Sequence, residues 1–485
     1  MEIRNLNPSL IWNLFDGITK VPRPSKKEGK IIQFLIDFAT EYHLEFEKDD
    51  ALNVIIRKPA TLGKENLQTV ILQSHVDMVC EKNSDVSFNF ETDSIQTYID
   101  GEWLKAKGTT LGADDGIGMA AALAILASTD IEHGPIIALF TTDEETGLTG
   151  ANALNPKFLE GDILLNLDSE EWGEFCVGCA GGKNTIGTFS YQLSPAPQNY
   201  FWFDVEVSGL KGGHSGSDIH VGLGNANKIL ARYLYSLHQE SPIVLSKIDG
   251  GNLHNAIARE ASATVGIPMA SKERAIILLN ILQADLENEL PLDDRSVKLQ
   301  IQSTDAPSHS IEAKTSVDLI LALYALPHGV MGWSLDMPGT VETSTNLASV
   351  KMKENQKIIV TTSQRSSTAS LKNDTVNMVT IVFQLAGAEA KSSDGYPGWK
   401  PNPDSPVLRV SKAVFEKFFG EKAKIISIHA GLECGLFLEK NPKLDMISCG
   451  PTVMGAHSPD ERLEISTVEK WWKFLVELLK EIPAK

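Results

Sequence analysis

Short apolar, β-rich runs recur along this chain of 485 residues, and what ends each run constrains the fold most. Val70-Ile71-Leu72 runs into Ser74-His75-Val76-Asp77, Ile136 to Phe140 into Asp143-Glu144-Glu145, and Ile163 to Leu167 into Asp168. Asp445 to Ser448 precedes Gly455-Ala456-His457, and Ile425 to Ile428 forms a further run. Helix-like stretches such as Gly116 to Leu126 alternate with them, the pattern of an α/β layer whose buried sheet draws on both ends of the sequence. Open sheets of this kind bind ligands beyond the carboxyl ends of their strands, so the acids and histidines are expected to converge there.

Between these runs lies a region with elements of its own: strands at Phe203 to Val207, Val297 to Ile301 and Ile358 to Thr362, and helices at Glu273 to Leu286 and Val317 to Ala325. Two groupings of strands and helices suggest a doubled unit, without an exact repeat. The far border is the turn-rich stretch Ser393-Asp394-Gly395-Tyr396-Pro397-Gly398, continuing to Pro401, Pro403 and Pro406, which suits a hinge. The expected organisation is a split domain, 1–185 and 395–485, around an inserted domain, 186–394. Such a length exceeds one ordinary core, and 42% apolar residues suffice for two. Near the start, Ser25-Lys26-Lys27-Glu28 reads as a capping box ahead of a helix whose apolar face carries Ile31, Ile32, Phe34, Leu35 and Phe38.

A formal net charge of −19 repels phosphate backbones and anionic headgroups, which argues against nucleic acid and membrane partners. The first residues lack the basic start and apolar core of a secretory signal, and the apolar stretch Ile117 to Ala127 is too short for a bilayer, which needs about 20 residues. A cytoplasmic location is expected. Five scattered cysteines read as reduced thiols. Cys176 and Cys179 form a C-x-x-C, but no second pair completes a thiolate cage, and Gly178, Gly181 and Gly182 suggest a loop rather than a redox helix.

Taken singly, an aspartate at a strand end often only makes a turn. Jointly, histidines and carboxylates gathered on one sheet edge repel one another unless cations sit among them, and metal is the simplest neutraliser. Mixed imidazole and carboxylate ligands suit zinc, with cobalt or manganese as substitutes, and two ions fit the ligand number better than one. In an extended segment His75 and Asp77 share a face, so Asp77 can accept the free ring N–H of His75. Glu144 and Glu145 point in different directions, so one can bind metal while the other accepts a proton from water.

The segments Ser74-His75-Val76-Asp77-Met78-Val79, Gly108 to Gly118, Thr142-Asp143-Glu144-Glu145-Thr146-Gly147 and Gly455-Ala456-His457 closely resemble those of the bacterial aminoacyl-histidine dipeptidases. These form a branch of the two-zinc exopeptidase family that also contains carnosinases, peptidase T and aminoacylase. The resemblance spans essentially the whole chain. It implies an α/β fold: a split zinc-exopeptidase catalytic domain with a mixed sheet flanked by helices, plus an inserted α+β lid domain. It further implies that His75 and Asp168 hold one zinc, Glu145 and His457 the other, and Asp114 bridges both. Glu144 becomes the general base, Asp77 the orienter of His75, and the Asp114-Asp115 peptide is expected to be cis.

In the lid, Lys211-Gly212-Gly213-His214-Ser215-Gly216 matches the motif whose histidine donates to the tetrahedral oxyanion. Gly250-Gly251-Asn252-Leu253-His254-Asn255 resembles the segment that places an asparagine, here Asn255, near the substrate. Arg365 is the candidate for the substrate's terminal carboxylate, which a guanidinium binds bidentately. Gly431-Leu432-Glu433-Cys434-Gly435 resembles a substrate-facing loop, with Gly435 as its binding residue. The implied reaction is hydrolysis of dipeptides, Xaa-His types including β-alanyl-histidine, by metal-activated water. Smaller lids of the family pair across a homodimer, whereas an enlarged one can supply His214 to its own active site. The alternatives are an N-acyl amino acid deacylase of the same family and a catalytically silent metal-binding relative.

Overall fold

The computed structural model describes residues 2–485, which divide into two compact units. The first comprises Met1–Gly178, Pro401–Ser427 and Leu432–Lys485, the second Cys179–Lys400 with Ile428–Gly431. The division therefore falls a few residues from the sequence-based borders. The cause is local: Gly181–Ser190 pairs along its whole length with Lys357–Ser366, which draws the residues before 186 into the second unit.

The first unit is built on an eight-stranded sheet. In chain order its strands are β1 (Glu45–Lys48), β2 (Val54–Lys58), β3 (Val70–His75), β4 (Ile136–Thr141), β5 (Ile163–Asn166), β6 (Glu174–Cys179), β7 (Lys424–Ile428) and β8 (Asp445–Ser448). Their spatial order is β1-β2-β4-β3-β5-β8-β6-β7. The central strands β4, β3, β5 and β8 are parallel neighbours, with Gln73 opposite both Leu139 and Asn166 and Ser448 opposite Asn166. Buried on both faces, β3, β4 and β5 read as continuous apolar runs rather than alternating ones. Because these strands are parallel, their carboxyl ends open on one edge, which gathers the acidic segments.

The helix Ala113–Ala127 is buried almost all round, which explains its uninterrupted Ala, Gly, Ile and Leu content. It packs on β3 and on the helix Ser9–Ile18. Its regular part begins after Asp115, whose Oδ1 accepts the N–H of Gly118 at 3.1 Å as an N-cap does. The Asp114-Asp115 peptide is cis, as the resemblance implies.

Two local expectations are overturned. Ser25 caps no helix: its hydroxyl donates to Asp77 Oδ2 at 2.8 Å, while Glu28 Oε1 accepts the N–H groups of Lys26 and Asp143, and the helix starts only at Gly29. A long-range acceptor, Asp77, and a long-range donor, the Asp143 N–H, engage the two members of the expected box instead. Cys176 and Cys179 lie in strand β6, not a loop. Three residues apart in a strand, they face opposite sides about 10 Å apart, beyond the roughly 7 Å that a disulfide spans.

The second unit holds a nine-stranded antiparallel sheet. Its two halves, Lys298–Ser303, Tyr200–Ser208, Ala261–Pro268 and Val244–Gly250 on one side, Val341–Lys353, Lys357–Ser366, Gly181–Ser190 and Glu389–Ser392 on the other, join through the pairs Asp249↔Lys351 and Gly250↔Val350, and the ninth strand, Gly329–Trp333, pairs with Val341–Lys353. Helices Ala226–Glu240, Lys272–Glu289, Ala313–Ala325 and Ala369–Leu385 contribute apolar faces to a core that includes Phe203, Leu234, Val265, Ile320, Val360 and Phe383. The expected hinge around residue 396 is irregular but tied down: Tyr396 exchanges backbone hydrogen bonds with Gly182, and Trp399 with Cys179.

Candidate metal centre

His75 ends β3, Glu145 follows β4, Asp168 follows β5, and Asp114 opens the buried helix. His75 Nε2 lies 3.0 Å from Asp114 Oδ1 and 3.4 Å from Asp168 Oδ1. His457, on the loop beyond β8, has Nε2 3.1 Å from Asp114 Oδ2 and 3.0 Å from Glu145 Oε2. Two donor triples result, His75-Asp114-Asp168 and Asp114-Glu145-His457, each with its ligand atoms within 4.8 Å of one another. Asp114 belongs to both. The structure thus brings together all five residues expected as ligands.

These donors fit a pair of divalent ions. Imidazole and carboxylate without thiolate suit zinc, cobalt or manganese, and three protein ligands per ion is the number found in open, catalytic sites. Glu145 Oε1 is buried without a protein partner, as an oxygen reserved for a cation would be. A third acidic group, Glu28, Asp77 and Asp143, is different: Glu28 Oε1 accepts two backbone N–H groups, and the hydroxyls of Thr146 and Thr149 donate to Asp143. Its oxygens are committed to the protein.

The electrostatics agree. Hydrogen bonds to Asp114 and Glu145 push the His457 imidazole up to about 11. Burial alone lowers His75, but Asp168, Asp114 and Asp77 outweigh it and hold that ring well above its ordinary value. Asp168 is driven up by burial and by the charges of Asp114 and Asp115, whereas Asp114, though buried, is held down by its two histidines. A field that holds protons so firmly on Nε2 favours any cation placed there.

Asp77 organises more than His75. Fully buried, it has Oδ1 3.4 Å from His75 Nδ1, an ion-pair contact rather than a formed hydrogen bond. The same Oδ1 accepts the backbone N–H of Glu144 at 3.1 Å, and Oδ2 accepts that of Glu145 at 3.3 Å. Despite burial, these donors with His75 and Ser25 bring its carboxyl down to about 2. Fixing both amides sends the two glutamate side chains different ways. Glu145 joins one donor triple and Glu144 stays out of both, with burial and the charges of Asp168, Glu433 and Glu145 raising the Glu144 carboxyl well above the usual range.

Sequence reasoning missed Glu433. It begins the helix Glu433–Lys440, is 1% exposed, and its Oε2 accepts Gln73 Nε2 at 2.7 Å and Thr141 Oγ1 at 2.8 Å. Burial pushes it up to about 7. It carries the same signal as the others, an acid just beyond an apolar run. Gly435, expected on a substrate-facing loop, lies buried in the first turn of this helix instead.

In the second unit, Gly213–Ser215 runs beside Asn255–Ile257: Ser215 N–H donates to Asn255 O at 2.8 Å and Ile257 N–H to Gly213 O at 2.9 Å. His214 and Asn255 are therefore neighbours. His214 Nδ1 accepts the backbone N–H groups of Ser217 at 3.1 Å and Gly216 at 3.3 Å, which assigns the ring proton to Nε2. Burial and the charge of Arg365 lower its pKa, keeping the ring neutral.

Arg365 is 6% exposed, in the strand Lys357–Ser366. It donates from Nη1 to the Tyr396 hydroxyl at 2.9 Å, its Nε has no partner, and no carboxylate among the described residues pairs with it. A cavity of about 80 Å³ beside it is lined by Lys183, His254, Ser363 and Tyr396 among others. Gly182 makes room for Tyr396, since a Cβ there would stand 2.5 Å from the ring.

The chain is 43% identical over 484 residues to the cytosol non-specific dipeptidase of Escherichia coli (strain K12), covering 100% of both. Its structure is similar to the crystal structure of aminoacylhistidine dipeptidase from Vibrio alginolyticus, with TM-score 0.95 and 44% identity over 100% of this chain and 99% of that one. Aminopeptidase PepT from Bacillus cereus shares the fold, with TM-score 0.56 and 17% identity over 98% and 99% of the two chains. The profile of peptidase family M20/M25/M40 matches residues 71–481, from the strand that ends in His75 to beyond the loop of His457, and the chain belongs to this family as a dinuclear metal-binding hydrolase.

Proposed function

We propose that this dipeptidase works with two zinc ions and cleaves Xaa-His dipeptides, β-alanyl-histidine among them. The observation that carries the reading is one carboxylate, Asp114, shared by two donor triples, with Glu144, next to Glu145 in the sequence, left outside both. His75 and Asp168 would hold one ion, Glu145 and His457 the other, and Asp114 would contribute to both. When bound, the pair supplies Lewis acidity toward the scissile carbonyl and acidifies the attacking water.

The chain's own groups do the rest. A Glu144 carboxylate oxygen takes a proton from the water as its oxygen bonds to the carbonyl carbon. The same carboxyl then delivers that proton to the leaving nitrogen as the C–N bond breaks. Asp77 keeps His75 in the tautomer that presents Nε2. The neutral His214 offers Nε2–H to the oxyanion, with Asn255 alongside, and Arg365 receives the terminal carboxylate. Under this reading the first unit is catalytic and the second serves as lid.

The histidine preference rests on the likeness to the Vibrio enzyme, whereas the Escherichia coli relative is described as non-specific. A panel of Xaa-His and other dipeptides, carnosine and N-acetyl amino acids, assayed on protein of measured metal content, separates the readings. Faster turnover of the Xaa-His members is the expected result. Equal rates for all dipeptides would establish broad specificity, and faster hydrolysis of N-acetyl amino acids would make the chain a deacylase.

A further inference from the structure

The segment that ends in Asp114 is gripped from two sides by buried charged residues with no part in the reaction described above. Glu461 is 2% exposed, and its carboxylate accepts four consecutive backbone N–H groups. Leu111 and Gly112 donate to Oε2 at 2.7 and 2.9 Å, Ala113 and Asp114 to Oε1 at 2.7 and 3.3 Å. Arg23, also 2% exposed, donates from Nη2 to the Gly112 carbonyl and from Nη1 to those of Val76 at 3.0 Å and Asp77 at 2.6 Å. Gly112 has φ +70°, and a Cβ on it would lie 2.5 Å from Arg23 Nη2, so only glycine admits the guanidinium.

The two grips lead to different places. Glu461 follows His457 on the same loop, so its four acceptor bonds tie Asp114 to the histidine of one donor triple. Arg23 holds the turn just after His75, so its three donor bonds tie the same segment to the histidine of the other. Carboxylate-to-amide bonds of this kind are about twice as strong as neutral ones, and buried multidentate partners leave little freedom of position.

We propose that Glu461 and Arg23 are positioning residues, one for each metal site: Glu461 sets the Asp114–His457 spacing and Arg23 the Asp114–His75 spacing. The inference rests on the ligand assignment above. The test is zinc binding by chelator competition on the parent, Glu461→Asp, Glu461→Gln and Arg23→Lys, alongside His457→Ala and His75→Ala as references for loss of each site. Both Glu461 variants are expected to lose about 10- to 100-fold in affinity for the ion that His457→Ala loses, and Arg23→Lys for the ion that His75→Ala loses. Excess zinc should restore kcat while KM stays at the parent value, which a purely structural role would not produce. If Glu461→Gln does not fold, Glu461→Asp, which keeps the charge and shortens the reach, decides. Parent affinity for both ions in folded variants, whatever their thermal stability, would overturn the proposal. A parent that binds fewer than two ions would instead sink the ligand assignment.

Discussion

Asp114 and His457 meet at 3.1 Å, Oδ2 to Nε2, while the other oxygen of Asp114 lies 3.0 Å from His75 Nε2. One side chain thus faces two imidazoles that arrive from segments more than 380 residues apart in the numbering, the end of β3 and the loop beyond β8. Close approach of Asp114, Glu145 and Asp168 is unfavourable without positive charge between them, so the shared carboxylate marks where that charge must go.

Replacing Asp114 with Asn keeps the size but removes the charge common to both triples. Zinc content measured after gel filtration should fall to one ion per chain or fewer. Loss of several kcal/mol of transition-state stabilisation should lower kcat/KM at least about 100-fold. Retention of two tightly held ions would contradict a bridging role.

Glu144→Gln leaves the backbone N–H that Asp77 accepts and touches neither triple. Zinc content should match the parent. Without a proton acceptor, kcat should drop about 10²- to 10⁴-fold with little change in KM, read in steady-state assays of a dipeptide. Activity near the parent's would mean that another group takes the proton.

The acids at strand ends were legible because parallel strands put every carboxyl end on one edge, so a one-dimensional pattern maps onto a place. Arg23 and Glu461 were not, since they act on backbone groups of residues 76–77 and 111–114, and nothing in the spacing of side chains reports such partners. The capping-box reading of Ser25 failed for the related reason that its two members serve partners distant in sequence, the Ser25 hydroxyl donating to Asp77 and Glu28 accepting the N–H of Asp143. Residues 428–431 join the second unit although Ile428 ends a strand of the first sheet, a division that hydropathy alone does not mark.

His429 supplies a pH dependence. It is 8% exposed, with Nε2 2.7 Å from Ser344 Oγ, and burial together with the charge of Arg365 pushes it down to about 3 from 6.5. The folded pKa lies below the unfolded one, so between 6.5 and about 3 the unfolded chain binds the extra proton and stability falls as pH drops through that window. Above 6.5 the ring is neutral in both states and contributes no slope. In urea titrations the parent should lose about 3 kcal/mol more than His429→Gln between pH 7 and pH 4. Parallel losses in the two proteins would show that the ring is protonated as readily folded as unfolded.

A guanidinium that is 6% exposed and, among the described residues, bonded only to the Tyr396 hydroxyl and paired with no carboxylate carries an uncompensated buried charge. Burying a cation this way is costly unless an anion arrives, and a dipeptide's terminal carboxylate is the anion that the proposed reaction provides. Arg365→Met should therefore raise KM for a dipeptide by about 30-fold or more, corresponding to at least about 2 kcal/mol, and leave zinc content at two. Amidating the substrate's carboxyl should cost the parent a similar factor, while the Met variant, having no charge to satisfy, should treat acid and amide nearly alike. Tyr396→Phe removes the one hydroxyl on Arg365 and should give a smaller rise in KM, because the guanidinium stays but is held less firmly. If the parent hydrolysed the dipeptide amide as well as the acid, Arg365 would have another anion to serve.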